Sequence, residues 1–187
     1  MRVLFLIVVC VACLCRPAFA QSDLKLGAER YLKEIAKGLE DASKKKTEER
    51  RAHWVQFLRD EIDWNQPAMW ALPSEWPTLP AEDRQALARW SQDELLAEES
   101  VFNYLQNLLT GSCTIEGGKL EQQHFSAWLR CRILLDALTF SVKLDVQSNE
   151  EGFRIVDASY IGHSLRKEMG KAIRKRFDAH GVSFAKK

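Results

Sequence analysis

The sequence lacks the short motifs that identify most catalytic and nucleotide-binding sites. It contains no Gly-x-Ser-x-Gly nucleophile elbow, no P-loop and no glycine pattern of a dinucleotide site. The four histidines, at positions 53, 124, 163 and 180, show neither HExxH spacing nor a neighbouring cysteine pair. These absences argue against serine hydrolases, nucleotide-dependent enzymes and zinc enzymes, so neither a metal nor a cofactor is predicted.

A strong excess of one charge is also lacking. The chain has 27 basic and 26 acidic residues. If the first twenty residues are removed, Arg2 and Arg16 leave with them, and 25 basic residues face 26 acidic ones. The global charge therefore does not predict binding to nucleic acid or to an anionic surface.

The N-terminus has the three parts of a secretory signal peptide. Arg2 provides a positive start, residues 3–15 are uninterruptedly apolar, and Ala18-Phe19-Ala20 matches a cleavage site. The apolar run would span about 20 Å as a helix, which is too short for a bilayer core of about 30 Å. We predict a cleaved leader at 1–20 and an exported, periplasmic single domain at 21–187. Secretion, or a lipoprotein modified at Cys13, is the alternative.

Removal of that leader would leave two cysteines, Cys113 and Cys131. An even pair in an exported chain predicts a disulfide, with two free buried thiols or half of a metal site as the alternatives. Closing a loop of about eighteen residues would stabilise the fold by about 3 kcal/mol in the chain-entropy model.

Hydrophobic spacing predicts a mainly α fold, an irregular bundle of about five helices. Apolar residues recur at three and four positions along residues 22–64, and the charge run in the middle is rich in helix formers, so one continuous helix is favoured over two. Residues 111–118 suggest a turn-rich loop. Residues 120–144 are the most apolar segment and predict the central helix, and residues 159–180 predict the last one.

A Trp/Pro-rich segment interrupts this helical pattern at residues 63–80. It holds three of the six tryptophans and four of the five prolines. Since proline removes a backbone donor and disfavours helix before it, we predict an irregular crossing held down by buried rings. The alternative is a glycan-binding platform in which Trp70 and Trp76 are exposed.

A short acidic stretch adds to that alternative. Residues 99–103, Glu-Ser-Val-Phe-Asn, resemble the start of lytic transglycosylase sites, in which the glutamate is the general acid. The resemblance covers five residues, and the glycine-rich loop that follows in that family is absent. It implies a hydrolase centred on Glu99.

The last helix carries the strongest local charge. From Arg166 onward there are eight basic residues against Glu168 and Asp178. The predicted binding residues on this helix are Arg166, Lys167, Lys171, Arg174 and Lys175. Such a surface suits an acidic protein or an anionic lipid headgroup, whereas pairing with the acidic residues around Glu94 inside the fold would weaken it.

These observations predict an exported, non-enzymatic helical binding protein: an envelope adaptor, a secretion-system accessory, or an inhibitor or immunity-type protein. Its partner would be a protein, with an acidic protein as one option, contacted through the basic helix together with Trp70 and Trp76. Peripheral membrane contact is a further option. A cell-wall glycan binder or hydrolase that uses the Trp-rich segment and Glu99 is the alternative.

Overall fold

A computed structural model describes residues 2–97, 113–121, 124–132, 139–150 and 152–186. Within these ranges the helices are α1 (Arg2–Ser43), α2 (Thr47–Glu61), α3 (Asn65–Ala71), α4 (Ala81–Ala97) and α5 (Leu165–His180). The strands are β1 (Cys113–Glu121), β2 (His124–Arg132), β3 (Thr139–Asn149), β4 (Gly152–Tyr160) and β5 (His163–Ser164). Two 3-10 turns lie at Trp76–Thr78 and Gly181–Lys186.

The strands form one antiparallel sheet in which each strand pairs with the next along the chain, in the order β1 to β5. The protein therefore combines helices with a sheet, and the prediction of a mainly α bundle is wrong. The error is largest at residues 120–144, where the predicted central helix is replaced by β2 and β3.

Side-chain alternation along β2 explains this error. Phe125, Ala127 and Leu129 are buried, while Trp128 and Arg130 between and beside them are exposed. This is the period of two that a half-buried strand requires. Phe125 and Leu129 are also four residues apart, which is the helical spacing, so the apolar residues alone fit both structures.

The main core lies between one face of the sheet and the first two helices. Its buried members from α1 and α2 include Leu32, Leu39, Trp54 and Leu58, and those from the sheet include Phe125, Leu129, Leu144, Val146 and Ile155. The predicted continuous helix over residues 22–64 is wrong, because α1 ends at Ser43 and α2 begins at Thr47. A single helix of that length would extend about 65 Å, whereas a nine-residue strand covers about 30 Å. Breaking the helix allows both apolar stripes to pack on the same core.

The Trp/Pro-rich segment is more regular than predicted. It forms α3 and the 3-10 turn at Trp76–Thr78. Pro67 lies in the first turn of α3, where a backbone N–H has no partner within the helix, so the proline costs little. Trp64 is buried at 7% exposure and its indole N–H donates to the carbonyl of Leu58 at 2.9 Å, as predicted for an anchoring ring.

A second, smaller core joins α3, α4, α5 and the C-terminal turn. Its buried residues are Ala68, Ala71, Leu72, Leu87 and Ile173, and they are surrounded by Trp76, Leu79, Trp90, Phe177, Val182, Phe184 and Ala185. The ring of Phe184 meets that of Trp90 edge-to-face at 5.0 Å. This core fixes α5 against the Trp/Pro-rich segment.

The predicted disulfide is confirmed. Cys113 and Cys131 face each other across β1 and β2, with Cα atoms 4.1 Å apart. Such a bond is typical of proteins that mature in an oxidising compartment.

The predicted leader forms the first part of α1, and its cleavage stays a prediction. In the ranges given above, none of the helices combines the length and apolarity needed to span a bilayer. Glu99 lies outside the described residues.

Candidate functional site

The start of α5 is fixed by a buried carboxylate on the sheet. Asp157 in β4 is 4% exposed. It accepts hydrogen bonds from the Ser164 hydroxyl at 2.7 Å and from the backbone N–H of Arg166 at 2.9 Å. Ser164 also caps the helix, because its hydroxyl oxygen accepts from the backbone N–H of Lys167 at 3.1 Å. These bonds set the direction in which α5 leaves the sheet.

Farther along, α5 is approached closely by the tryptophan at the end of α3. The Trp70 ring lies against Gly170, and a Cβ added at that glycine would be 2.4 Å from Cε3 of Trp70. The glycine therefore provides the space that the ring occupies. Trp70 is nevertheless 43% exposed, so one side of the ring faces solvent. The prediction that this ring is buried is wrong.

Beside this contact lies an open cavity of about 640 Å³, which we call the α5 groove. It is lined by Trp70, Ala71, Pro73, Ser74, Glu75, Lys171, Arg174, Lys175 and Asp178. The three α5 cations are spaced three and four residues apart, so they share one face of the helix. The groove thus combines an exposed aromatic ring, three cations and two carboxylates.

Arg174 stands between the two carboxylates. Its Nη1 is 2.7 Å from Oε1 of Glu75, and its Nε is 3.2 Å from Oδ1 of Asp178. The hydrogen bond from Arg174 holds the pKa of the Glu75 carboxyl below its ordinary value. That same bond raises the pKa of Arg174. Both groups are therefore ionised at neutral pH, and the pair links the Trp/Pro-rich segment to α5.

The two lysines of the groove are more available. Lys171 is exposed and its Nζ lies 3.0 Å from Oε1 of Glu168, a surface ion pair one turn away. Such exposed pairs are worth little in water. Lys175 is exposed and makes no ion pair within the part of the chain that the structure describes. An anionic ligand entering the groove would therefore meet Lys171 and Lys175 first.

Four of the seven predicted binding residues come together in the groove: Trp70, Lys171, Arg174 and Lys175. The other three lie elsewhere. Arg166 faces the buried Asp157, with Nη2 3.9 Å from Oδ2. Lys167 is exposed in the first turn of α5, and Trp76 is half-buried in the second core.

The predicted competition between α5 and the acidic residues of α4 also occurs. The guanidinium of Arg176 lies 3.0 Å from Oε1 of Glu94 and 4.9 Å from the centre of the Trp90 ring. Arg176 is therefore engaged in contacts within the protein. The surface left for a partner is smaller than the charge count of α5 indicates.

The tryptophans of the Trp/Pro-rich segment do not form a shared platform. Trp64 is buried, Trp76 is half-buried with Arg84 5.9 Å above its ring, and only Trp70 of these three is largely exposed. Glu99 lies outside the described residues. A single exposed ring gives little support to the glycan-binding alternative.

Sequence reasoning did not assign the groove's two carboxylates or an exposed tryptophan on the sheet. Glu75 and Asp178 line the groove although neither was predicted as a site residue. Trp128 in β2 is 50% exposed, directly opposite Lys143 of β3. The alternating pattern of β2 was the signal that could have placed Trp128 on the outer face.

Two further cavities are present among the described residues. One of about 540 Å³ lies where α2 meets α3, near Asp63 and Arg154, and one of about 240 Å³ lies between α1 and α2. In the latter, the Tyr31 hydroxyl donates to Oε2 of Glu61 at 2.7 Å. The structure places no group of three or more His, Cys, Asp or Glu residues suited to a metal ion within the ranges it describes.

Comparison with known proteins identifies a fold but no family. No family model matches the chain, and no curated protein matches it in sequence. The chain is similar in structure to a phospholipid-binding protein from Ralstonia solanacearum, solved in complex with a phospholipid. The TM-score is 0.59, the identity is 11%, and the alignment covers 87% of this chain and 94% of that one. At this identity the likeness shows the fold alone.

Proposed function

We propose that this protein is an exported, non-enzymatic phospholipid-binding protein that contacts lipid phosphate through the α5 groove. The observation that carries the proposal is the fold, which this chain shares along most of its length with a protein solved in complex with a phospholipid. The groove supports it independently, because its residue types suit the boundary between a lipid headgroup and water.

Lys171 and Lys175 supply the attraction to phosphate. Each cation near an anionic lipid surface contributes about 1 kcal/mol. Trp70 supplies an amphipathic ring with one face exposed, and tryptophan is enriched at membrane–water interfaces for this reason.

A lipid fits the available charge better than a large acidic protein does. Arg174 already pairs with Glu75 and Arg176 with Glu94, so part of the basic charge of α5 is neutralised within the fold. One phosphate needs only two adjacent cations, whereas a protein interface of ordinary size needs about 800 Å² from each partner.

Export is part of the proposal. The disulfide between Cys113 and Cys131 and the leader-like residues 1–20 both support it. The bacterial envelope would then supply the phospholipid. The protein would act there as a lipid-handling adaptor, which is one of the roles that the sequence suggests.

The test has two parts. Native mass spectrometry of the protein purified without detergent reports bound lipid. Co-sedimentation with vesicles of phosphatidylethanolamine and phosphatidylglycerol at low and high salt reports surface contact. The variant Lys171→Glu/Lys175→Glu is expected to weaken vesicle binding at least about tenfold. The control Lys45→Glu/Lys46→Glu reverses the same charge in the connection between α1 and α2 and should bind like wild type.

The outcomes separate the alternatives. Phospholipid in the purified protein, together with salt-sensitive binding lost only in the α5 variant, supports the proposal. Absence of both lipid and vesicle binding overturns it. Purification with one stoichiometric acidic protein in place of lipid would favour the protein-adaptor role instead.

A further inference from the structure

The α5 groove presents carboxylates to a ligand as well as cations. The Asp178 side chain is 61% exposed and the Glu75 side chain 32%, even though both carboxylates contact Arg174. Each carboxylate has a second oxygen, which can accept a hydrogen bond from a ligand while the first contacts Arg174. An incoming headgroup therefore meets negative charge close to Lys171 and Lys175.

A headgroup that is only anionic suits this arrangement poorly. Its phosphate gains from the lysines but is repelled by Glu75 and Asp178, and the rest of the headgroup offers these carboxylates no positive charge. Like charges placed opposite each other at a binding surface reduce affinity and thereby discriminate between ligands.

A headgroup that carries an ammonium beside its phosphate matches both sets of charges. The phosphate can lie at Lys171 and Lys175, while the ammonium lies toward Asp178. The exposed face of Trp70 adds a second attraction, because a cation above an indole ring is stabilised by the ring quadrupole.

We infer that the α5 groove selects zwitterionic phospholipid headgroups, of the phosphoethanolamine type, over purely anionic ones. This inference rests on the proposed function and names the ligand class for the same site. Lys171 and Lys175 bind the phosphate, and Asp178 and Trp70 bind the ammonium. Arg174 and Glu75 position the two sides of the groove.

The experiment uses soluble short-chain lipids, so that headgroup preference is separated from bilayer properties. Dihexanoyl phosphatidylethanolamine, dihexanoyl phosphatidylglycerol and inorganic phosphate are titrated into the full protein, and binding is followed by calorimetry or ligand-observed NMR. Wild type is expected to bind the ethanolamine lipid about threefold more tightly than the glycerol lipid, as a solvent-exposed cation–π contact allows.

Two variants test the ammonium side. Asp178→Asn removes an exposed charge at the surface, and Trp70→Leu removes the ring; each is expected to reduce or abolish the preference. Asp41→Asn is the matched control for the first, because Asp41 is likewise an exposed carboxylate paired with a nearby cation, Lys44 at 3.3 Å, which directly follows the end of α1. The control should keep the wild-type preference. Asp178→Asn keeps the test decisive if Trp70→Leu fails to fold.

Each outcome bears on the inference. A preference for the ethanolamine lipid that is lost in Asp178→Asn and kept in Asp41→Asn supports it. Equal or tighter binding of the glycerol lipid overturns it while leaving phospholipid binding intact. Inorganic phosphate binding as tightly as either lipid overturns it in favour of a simple phosphate site. Failure of both short-chain lipids overturns it too, whereas the proposed function would fall only if the purified protein also contains no lipid and does not bind vesicles.

Discussion

The carboxylate of Asp157 accepts a hydrogen bond from the backbone N–H of Arg166, so that a buried residue of β4 holds the first turn of α5. The same carboxylate receives the Ser164 hydroxyl and faces the Arg166 guanidinium. Arg166, which was predicted to bind a partner, thus joins α5 to the sheet. The direction of α5, and with it the location of the groove, depends on this junction.

Replacing Asp157 with Asn should therefore destabilise the protein by about 2–3 kcal/mol, because a charged acceptor of two hydrogen bonds is replaced by a neutral amide in a buried site. Urea unfolding followed by circular dichroism would measure the change. Asp93→Asn, an exposed site on α4, should change the free energy of unfolding by less than about 0.5 kcal/mol. Equal effects from the two variants would contradict the structural role of Asp157.

Two glycines in helices should respond to alanine in opposite directions. At Gly38 in α1 an added Cβ would meet no atom within 4 Å beyond its chain neighbours and the local helix backbone, so Gly38→Ala should stabilise the protein by about 0.5–1 kcal/mol through helix propensity. At Gly170 the added Cβ would lie 2.4 Å from Trp70 and 3.2 Å from the Pro67 carbonyl oxygen. Gly170→Ala should therefore cost about 1–2 kcal/mol, measured by thermal or urea unfolding.

A double-mutant cycle identifies the cause of the Gly170 effect. If the Trp70 ring is what the new methyl group meets, Gly170→Ala should cost clearly less in a Trp70→Leu background than in wild type. The same cost in both backgrounds would show that the ring does not lie over the glycine.

Part of the fold follows from the sequence. The disulfide was predictable because an even number of cysteines follows the predicted leader. The end of α5 was predictable from Gly181, whose φ of +57° is a conformation that glycine favours at the C-terminus of a helix. The sheet was not predicted because the apolar residues of β2 fit two periods. Residues 111–118 suggested a loop, yet Gly117 and Gly118 lie at an irregularity inside β1, where the register shifts between Glu116 and Lys119. A β-bulge and a turn use the same residues.

The site was predictable only in fragments. Helical spacing alone places Lys171, Arg174 and Lys175 on one face, and the exposed Trp70 was one of the two ring positions considered for binding. Trp70 and the three cations meet only because α3 packs against α5, and local sequence patterns do not predict that packing. Arg166 was predicted for the same surface but lies away from the groove, because it faces Asp157 of β4, and local sequence patterns do not encode the packing of β4 against α5.

The disulfide should contribute measurably to stability. The variant Cys113→Ala/Cys131→Ala removes the bond between β1 and β2 without leaving a buried thiol and should lower the free energy of unfolding by about 3 kcal/mol. Reductant should destabilise wild type by a similar amount. The same reductant added to the double variant should have no effect, and a clear effect there would assign the change to other cysteines.

The Tyr31–Glu61 pair predicts a loss of stability in alkali. Burial, and then the hydrogen bond to Glu61, raise the pKa of Tyr31 far above its ordinary value. Because the folded pKa exceeds the unfolded one, the contribution of this group to stability is complete below about pH 10 and declines as the pH rises further.

Tyr31→Phe should cost about 1–2 kcal/mol near neutral pH, and this cost should shrink at about pH 11, where the wild-type protein alone loses the contribution. Urea unfolding of both proteins at about pH 8 and about pH 11 measures the difference, and Tyr160→Phe, which leaves the pair intact, should keep the wild-type alkaline decline. A cost of Tyr31→Phe that is the same at both pH values would show that the hydroxyl does not keep its proton through this pair.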